Sequence, residues 1–359
     1  MQPTDIRQLA QENKTALQAY VQSGSASGYS HPYKLDAMAL LSMQEPADLC
    51  VLLGVTKYEI SRAMNKPEYM HYAIPKKRGG ERHIFAPEYN LKAIQRRLNR
   101  FLQADYLWIK PEEVHGFVTN PDYLERPCGI ISNAAVHIGK KHILNIDLKD
   151  FFPSISARRI KELFLSPRFG FDEQMATALT LLTTFKRQLP TGASTSPVLS
   201  NFVCIELDAA LRDFCRENGL QYTRYADDLT FSSDMVISDE AIGEIRRLIG
   251  ENGFEVNEKK LRIRSANRKQ TVTGLVVNEK VNVDRKLIRK IRAMIHDLNA
   301  NGINAATKRH FGLQAKVRSR DRELFRARLK GYIEFVGQVR GKDDPVYMKL
   351  IRSFSEYHN

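Results

Sequence analysis

Two adjacent carboxylates, Asp227 and Asp228, sit between two alternating apolar stretches, 220–226 and 229–233. That pattern reads as strand, tight turn, strand, with the acids at the tip of a hairpin. Like charges so close repel, and a cation or a shared proton eases them. Hard oxygen donors suit magnesium, which is commonly held by one or two carboxylates plus substrate phosphates. A third acid, Asp147, lies near the end of a stretch, 142–148, in which Leu144, Ile146 and Leu148 share one face and Asn145 and Asp147 the other. On neighbouring strands of one sheet, the three acids would suit two-metal phosphoryl transfer, in which acidic groups bridge ions about 3.5–4 Å apart. Alone, an Asp-Asp pair is also an ordinary solvated turn, so the rest of the chain must decide.

The elements that have to position these acids are legible as a mixed order of helices and strands. Short helices are predicted over 35–41, 46–53 and from Thr56, as cap, to 65. A Gly/Ser-rich break at 23–28 interrupts this helical N-terminal region, 1–70. A hairpin over 72–87 turns at Gly79-Gly80, flanked by basic residues, and an amphipathic helix over 91–107 follows, with Leu91, Ile94, Leu98, Phe101 and Leu102 on one face. Helices are expected over 157–165, 172–185 and 196–218, then the 222–231 hairpin. The order implies an α+β fold, helices packed on one face of an antiparallel sheet. Asp284 can cap a helix whose apolar face is Leu287, Ile291, Met294, Ile295 and Leu298, and a second basic helix is expected over 322–339.

Composition narrows the partners. The 359-residue chain carries a formal net charge of +14, which suggests a polyanion, nucleic acid first. Residues 285–342 hold sixteen Lys/Arg against four Asp/Glu, so the surplus is concentrated where phosphates would be met. The four cysteines, Cys50, Cys128, Cys204 and Cys215, form no CxxC pair, which points away from a zinc site or disulfide framework and toward free thiols in a reducing compartment. Neither a membrane span nor a signal peptide is expected, so a cytoplasmic location fits.

Five segments in one order then carry a resemblance. Asn145-Ile-Asp147-Leu-Lys-Asp150-Phe-Phe152 resembles motif A of reverse transcriptases, and Leu189-Pro-Thr-Gly192-Ala-Ser-Thr-Ser-Pro197 resembles motif B. Tyr225-Ala-Asp227-Asp228 is similar to the YxDD motif C, Gly253-Phe-Glu-Val-Asn257-Glu-Lys-Lys260 to motif D, and 74–87 to the upstream fingers motif. The resemblance covers about 72–280 and implies a right-hand polymerase with an antiparallel palm sheet and a helical thumb. Its regions would be an N-terminal helical part (1–70), fingers (71–140, with part of 157–200), palm (141–280) and basic thumb (281–359).

The resemblance also implies roles. Asp147, Asp227 and Asp228 would hold two Mg²⁺ ions, and Lys260 would protonate the leaving pyrophosphate, with Lys259 its ordinary neighbour. Arg82 with Lys76 or Lys77 would contact the dNTP triphosphate, where Arg suits fork-like phosphate contacts. Phe152 would be the steric gate against a ribose 2′-hydroxyl, its alternative reading plain core, since Phe151 and Phe152 cannot both face the nucleotide. Gly192 would let the backbone approach nucleotide and template closely. Asp150 reads as a turn or cap and Arg78 as a solvated turn residue.

Finer features resemble the retron type. Asn133-Ala-Ala-Val-His137 is similar to its NAxxH element, Val272-Thr273-Gly274 to its VTG element, and His115-Gly-Phe117 fits the bacterial pattern. Segment 118–132 departs, being longer and less basic than that pattern. Such an enzyme is expected to recognise its cognate non-coding RNA, start DNA from an internal guanosine 2′-hydroxyl, and make branched msDNA. It is thought to act in anti-phage defence with an effector, here a separate chain. RNA contacts are expected at Asn133, His137, Val272, Thr273, Gly274, Arg289 and Arg292, although a strand and Gly turn explains 272–274 equally well. A group II intron-like or other bacterial reverse transcriptase is the alternative, disfavoured by the roughly 80 residues after motif D. A catalytically silent RNA-binding scaffold would be expected to have lost one of the three acids.

Overall fold

The structure, a computed structural model, describes residues 3–23, 32–76, 79–121 and 127–355. The expected break at 24–28, Lys77, Arg78 and residues 122–126 of the departing segment lie outside the described residues. Two compact units emerge: residues up to 129 with 144–231 and 237–262, and 130–143 with 232–236 and 263 onward.

In the first unit, five helices lead the chain: α1 (Pro3–Glu12), α2 (Lys14–Ser23), α3 (Pro32–Leu41), α4 (Pro46–Leu53) and α5 (Lys57–Asn65). Thr56 caps α5 as its sequence suggests, its side chain accepting from the Glu59 backbone N–H while Glu59 accepts from that of Thr56. The antiparallel hairpin β1 (Tyr69–Pro75) and β2 (Glu81–Pro87) follows, then α6 (Tyr89–Tyr106). The apolar stripe of α6, Leu91, Ile94, Leu98, Phe101 and Leu102, is buried. Each such side chain contributes roughly 1.5–3 kcal/mol on removal from water.

After α7 (Ile130–Ala135), which lies in the second unit, come β3 (His142–Asp147), α8 (Phe151–Ser154), α9 (Ala157–Leu165), α10 (Glu173–Thr183), α11 (Ser196–Val203) and α12 (Ile205–Glu217). The single helix expected over 196–218 is thus two, divided at Cys204, which lies buried in the join. Asp172 proves to be a cap, accepting from the Met175 backbone, and α10 stops before Phe185. The hairpin β4 (Gln221–Tyr225) and β5 (Asp228–Ser233) follows, then α13 (Asp239–Glu251). In the sheet β5 lies between β4 and β3, so the motif A strand adjoins the hairpin. One apolar core joins these helices to the sheet through Leu144, Ile146, Leu148, Leu229 and Phe231.

The second unit adds β6 (Arg262–Ser265), the short pair β7 (Thr271–Val272) and β8 (Leu275–Val276), and helices α14 (Arg285–Phe311), α15 (Ser319–Arg340) and α16 (Pro345–Ser355). Its separate core gathers Val272, Leu275, Ile291, Met294, Ile295, Leu298, Phe325 and Leu329. Asp284 caps α14 by accepting from the Lys286 backbone, as expected. A break at Gly302 (φ 74°, ψ 167°) divides that helix in two. Across the break Asp297 binds Arg309 and accepts from His310 Nε2 at 2.7 Å. No helix among the described residues is long and apolar enough to cross a membrane.

Candidate active site

The hairpin that carries the acids turns through two residues, Ala226 and Asp227, and Asp228 opens β5. Ala226 has φ 60°, a left-handed conformation that costs a non-glycine residue energy and must be enforced by its surroundings. The enforcement comes from below. Arg224 is fully buried, as is Asp208 of α12, and the two form a bidentate pair with Nε–Oδ1 2.7 Å and Nη2–Oδ2 2.6 Å. Arg224 Nη1 also donates to Asn201 Oδ1 at 2.9 Å and to the Ala226 carbonyl at 3.3 Å. Tyr222 donates to Asp208 at 2.8 Å, completing the network. One guanidinium therefore ties α11, α12 and β4 to the turn that presents the acids.

A second brace runs beside β4. Val114 bridges Arg224 in parallel, with the His115 N–H donating to the Arg224 carbonyl at 2.9 Å and the Arg224 N–H to the Glu113 carbonyl at 2.8 Å. Gly116 lies so close to the turn that a Cβ there would sit 2.5 Å from the Ala226 nitrogen. Asn201 Nδ2 donates to the Gly116 carbonyl at 3.0 Å, joining both braces. Phe117, itself at φ 60°, stacks its ring on Phe152 at 5.8 Å.

Asp147 ends β3, and the Leu148 N–H donates to the Asp227 carbonyl at 2.9 Å, which joins motif A to the hairpin turn. The side chain is not open, as strand alternation alone suggests, but only 7% exposed. Motif D covers it: Lys260 Nζ lies 2.5 Å from Oδ1 and Asn257 Nδ2 donates to Oδ2 at 3.1 Å. Crowding and its neighbour acids raise the pKa values of the other two carboxylates. Burial and then Asp147 push Asp227 up, opposed by Lys260 and Arg82. Burial, Asp227 and Asp147 push Asp228 up to about 6, although its side chain still opens to solvent. No three His, Cys, Asp or Glu side chains among the described residues converge as a ready-made metal cage. The donor chemistry nonetheless fits a hard cation: burial and the charge of Asp147 raise the proton affinity of Asp227 and Asp228, and Lys260 offsets part of that.

The other expected residues fall out as follows. Arg82 is exposed on β2, and its charge reaches Asp227. Lys76 is exposed at the hairpin's end. Phe151 is the core residue of its pair and Phe152 the half-buried one, which leaves Phe152 as the gate candidate. Gly192 is crowded by protein as well. It has φ 120°, and a Cβ there would sit 2.8 Å from Ile84 Cγ2 and 3.0 Å from the Phe85 carbonyl oxygen. The Phe85 N–H donates to the Thr191 carbonyl at 2.7 Å. Docking of motif B on the β1–β2 hairpin is therefore by itself a reason for glycine, beside the expected approach to nucleotide and template.

In the second unit, Asn133, His137 and Val272 are buried and offer no surface to RNA, which corrects their reading as direct contacts. His137 Nδ1 meets Ser232 Oγ at 2.7 Å, while neither amide atom of Asn133 has a hydrogen-bond partner among the described residues. Thr273 and Gly274 form the two-residue turn of β7–β8, both at positive φ, and Thr273 Oγ1 donates to the Ile130 carbonyl at 3.0 Å. Arg289 and Arg292 are exposed on α14.

A sheet and helix core with acids at the ends of two adjoining strands is that of a right-hand polymerase. The sequence matches the reverse transcriptase (RNA-dependent DNA polymerase) family over residues 74–278. It is 36% identical over 310 residues to the retron Mx65 reverse transcriptase of Myxococcus xanthus, covering 81% of this chain and 66% of that one. It is 38% identical over 235 residues to the retron Ec86 reverse transcriptase of Escherichia coli, covering 64% and 70%. Against the retron Ec73 enzyme of the same species it is 31% identical over 323 residues, covering 84% and 92%. The chain belongs to the reverse transcriptase family, retron type, and spans just under two thirds of the first relative's length.

Proposed function

We propose that the chain copies a cognate non-coding RNA into DNA, starting from an internal guanosine 2′-hydroxyl to give branched msDNA. The observation that carries the polymerase reading is the placement of Asp147, Asp227 and Asp228 at adjoining strand ends, with Asp227 and Asp228 raised above the ordinary carboxylate range by burial first and by neighbouring acids second. These three would hold two Mg²⁺ ions, which would supply Lewis-acid stabilisation of a transferring phosphoryl group. The chain's own residues do the positioning. The Arg224 network sets the turn, Asn257 and Lys260 orient Asp147, and Phe152, backed by Phe117, excludes a 2′-hydroxyl. Lys260 would also give a proton to the leaving pyrophosphate. Arg82 and Lys76 would meet the triphosphate.

On this reading 71–140 with part of 157–200 is the fingers, 141–280 the palm and 281–359 the thumb. Gly274, Arg289 and Arg292, with half-buried Thr273, offer the contacts to the RNA, and Asn133, His137 and Val272 shape the surface beneath. A place in cytoplasmic anti-phage defence with a separate effector protein belongs to the same proposal. Expression with the RNA encoded beside the gene tests the whole. RNA-linked, debranching-sensitive DNA should accumulate and vanish in Asp227→Asn. DNA made only from an added primer would remove the branched-priming reading and leave the polymerase.

A further inference from the structure

The β1–β2 hairpin has two faces, and only one belongs to the catalytic reading. Tyr72, Ile74, Arg82 and Ile84 share the face that carries the triphosphate candidate. The opposite face carries a ladder of rings. His83 and His71 stack at 5.3 Å, His71 and Phe85 at 4.6 Å, and Phe85 leads to Phe185 at 5.7 Å. The ladder is half-buried at Phe185 and open at the two histidines.

Beside it stands a strained turn. The Phe185 and Gln188 backbones exchange hydrogen bonds at 2.9 and 3.1 Å around a two-residue loop, Lys186-Arg187. Both loop residues have positive φ, 50° and 64°. Such a turn ordinarily takes Asn-Gly, because it needs φ > 0 twice. Here two long cations occupy it. Lys186 Nζ lies 4.9 Å over the Phe85 ring, while Arg187 is exposed and has no ion-pair partner among the described residues. Stacking surfaces next to unneutralised cations are the two ingredients of single-strand binding, rings for base faces and charges for the backbone. Strain kept at an exposed position points to use.

We propose that this outer face, His71, His83 and Phe85 with the Lys186-Arg187 turn, is a stacking platform for unpaired nucleotides of single-stranded RNA. It deepens the proposed function by giving the RNA a contact outside the polymerising site, and it rests on RNA being the template.

The test uses the full chain and a short fluorescein-labelled oligouridylate, read by anisotropy across a salt series, with an RNA duplex of equal length beside it. Lys186→Asn/Arg187→Gly installs the turn's preferred residues, so it should raise the melting temperature. It should also weaken oligouridylate binding several-fold and flatten the log–log salt slope by up to about 1.4, the value for two lost cations on a single strand. His71→Ala/His83→Ala should weaken the single strand about tenfold, within the range for lost base stacking, and leave duplex binding unchanged. Unchanged single-strand affinity and slope in both variants, with only the rise in melting temperature, would sink the platform and leave the ladder to packing or a protein partner. Equal weakening of single strand and duplex in the histidine variant would also overturn it. Primer extension on an oligo(dT)-primed poly(rA) template by the unaltered chain separates the outcomes: its failure removes the polymerase reading, whereas the binding series judges the platform by itself.

Discussion

The two hairpins of the first unit are built on opposite principles. β4–β5 is embedded, with Tyr222, Thr223, Arg224, Leu229 and Phe231 all buried, and its turn is gripped by a guanidinium and a glycine. In β1–β2 the residues from Met70 to Lys76 are all exposed, and Met70, Tyr72 and Ile74 show apolar surface to solvent. The first fixes charges that must not move relative to one another. The second presents contact surface, attached at the base by Phe85–Thr191 pairing and the Tyr69–Phe185 stack. On the proposed function, catalytic precision and substrate contact fall to separate hairpins. At Ala226 a buried network holds the strain.

If β4–β5 is the fixed partner, removing a charge there must be the most damaging change. Asp227→Asn should lower primer-extension kcat by at least about a thousandfold, since charge stabilisation dominates phosphoryl transfer. Circular dichroism should show the fold intact. The brace comes next. Arg224→Ala leaves Asp208 buried without its partner and should cost about 3–5 kcal/mol in urea unfolding. Arg224→Met with Asp208→Leu should recover much of that stability yet not the kcat, because nothing then holds the Ala226 carbonyl; full recovery of both would break the comparison.

Gly192→Ala sharpens it from the other side. The added methyl meets the β1–β2 backbone, and the cost should be about 1–3 kcal/mol, as for overpacking, with a raised KM for template-primer. Arg82→Ala, at an exposed position, should change stability by no more than about 0.5 kcal/mol while raising KM for dNTP. The smallest effect is in pH. Asp228, at about 6, and Asp227, also raised, bind protons more tightly folded than unfolded. Their contribution is therefore complete in acid and lost as pH rises through about 6. In EDTA the unfolding free energy from urea titration should fall between pH 5 and 7.5, by about 1 kcal/mol or less given the water around Asp228. Asp228→Asn should flatten that slope.

Much of the site was legible because its chemistry is carried by short contiguous strings. Period-two alternation placed Asp147 and the hairpin, and caps at Thr56 and Asp284 marked helix starts correctly. What stayed hidden depends on distant partners. Arg224 shares an inward strand face with Tyr222, and a charged residue at a core position signals that a buried acid must answer it. Which acid cannot be read from periodicity, since Asp208 sits sixteen residues away on a helix. The lid of Asn257 and Lys260 over Asp147 spans more than a hundred residues of sequence. Gly192 was assigned to ligand approach because a glycine announces crowding without naming what crowds it. The division of 196–218 at Cys204 was missed because no proline or glycine marks it.

One glycine in the second unit sets a dimension. An unbroken helix of the 27 residues from Arg285 to Phe311 would be a rod about 40 Å long, free to lever its basic face about one end. Gly302 turns that rod into a bracket, and the grip of Asp297 on Arg309 and His310 welds the corner. Arg289 and Arg292 are thereby mounted on a short strut at a set angle. The pitch at which those two positive charges are held becomes a property of the joint.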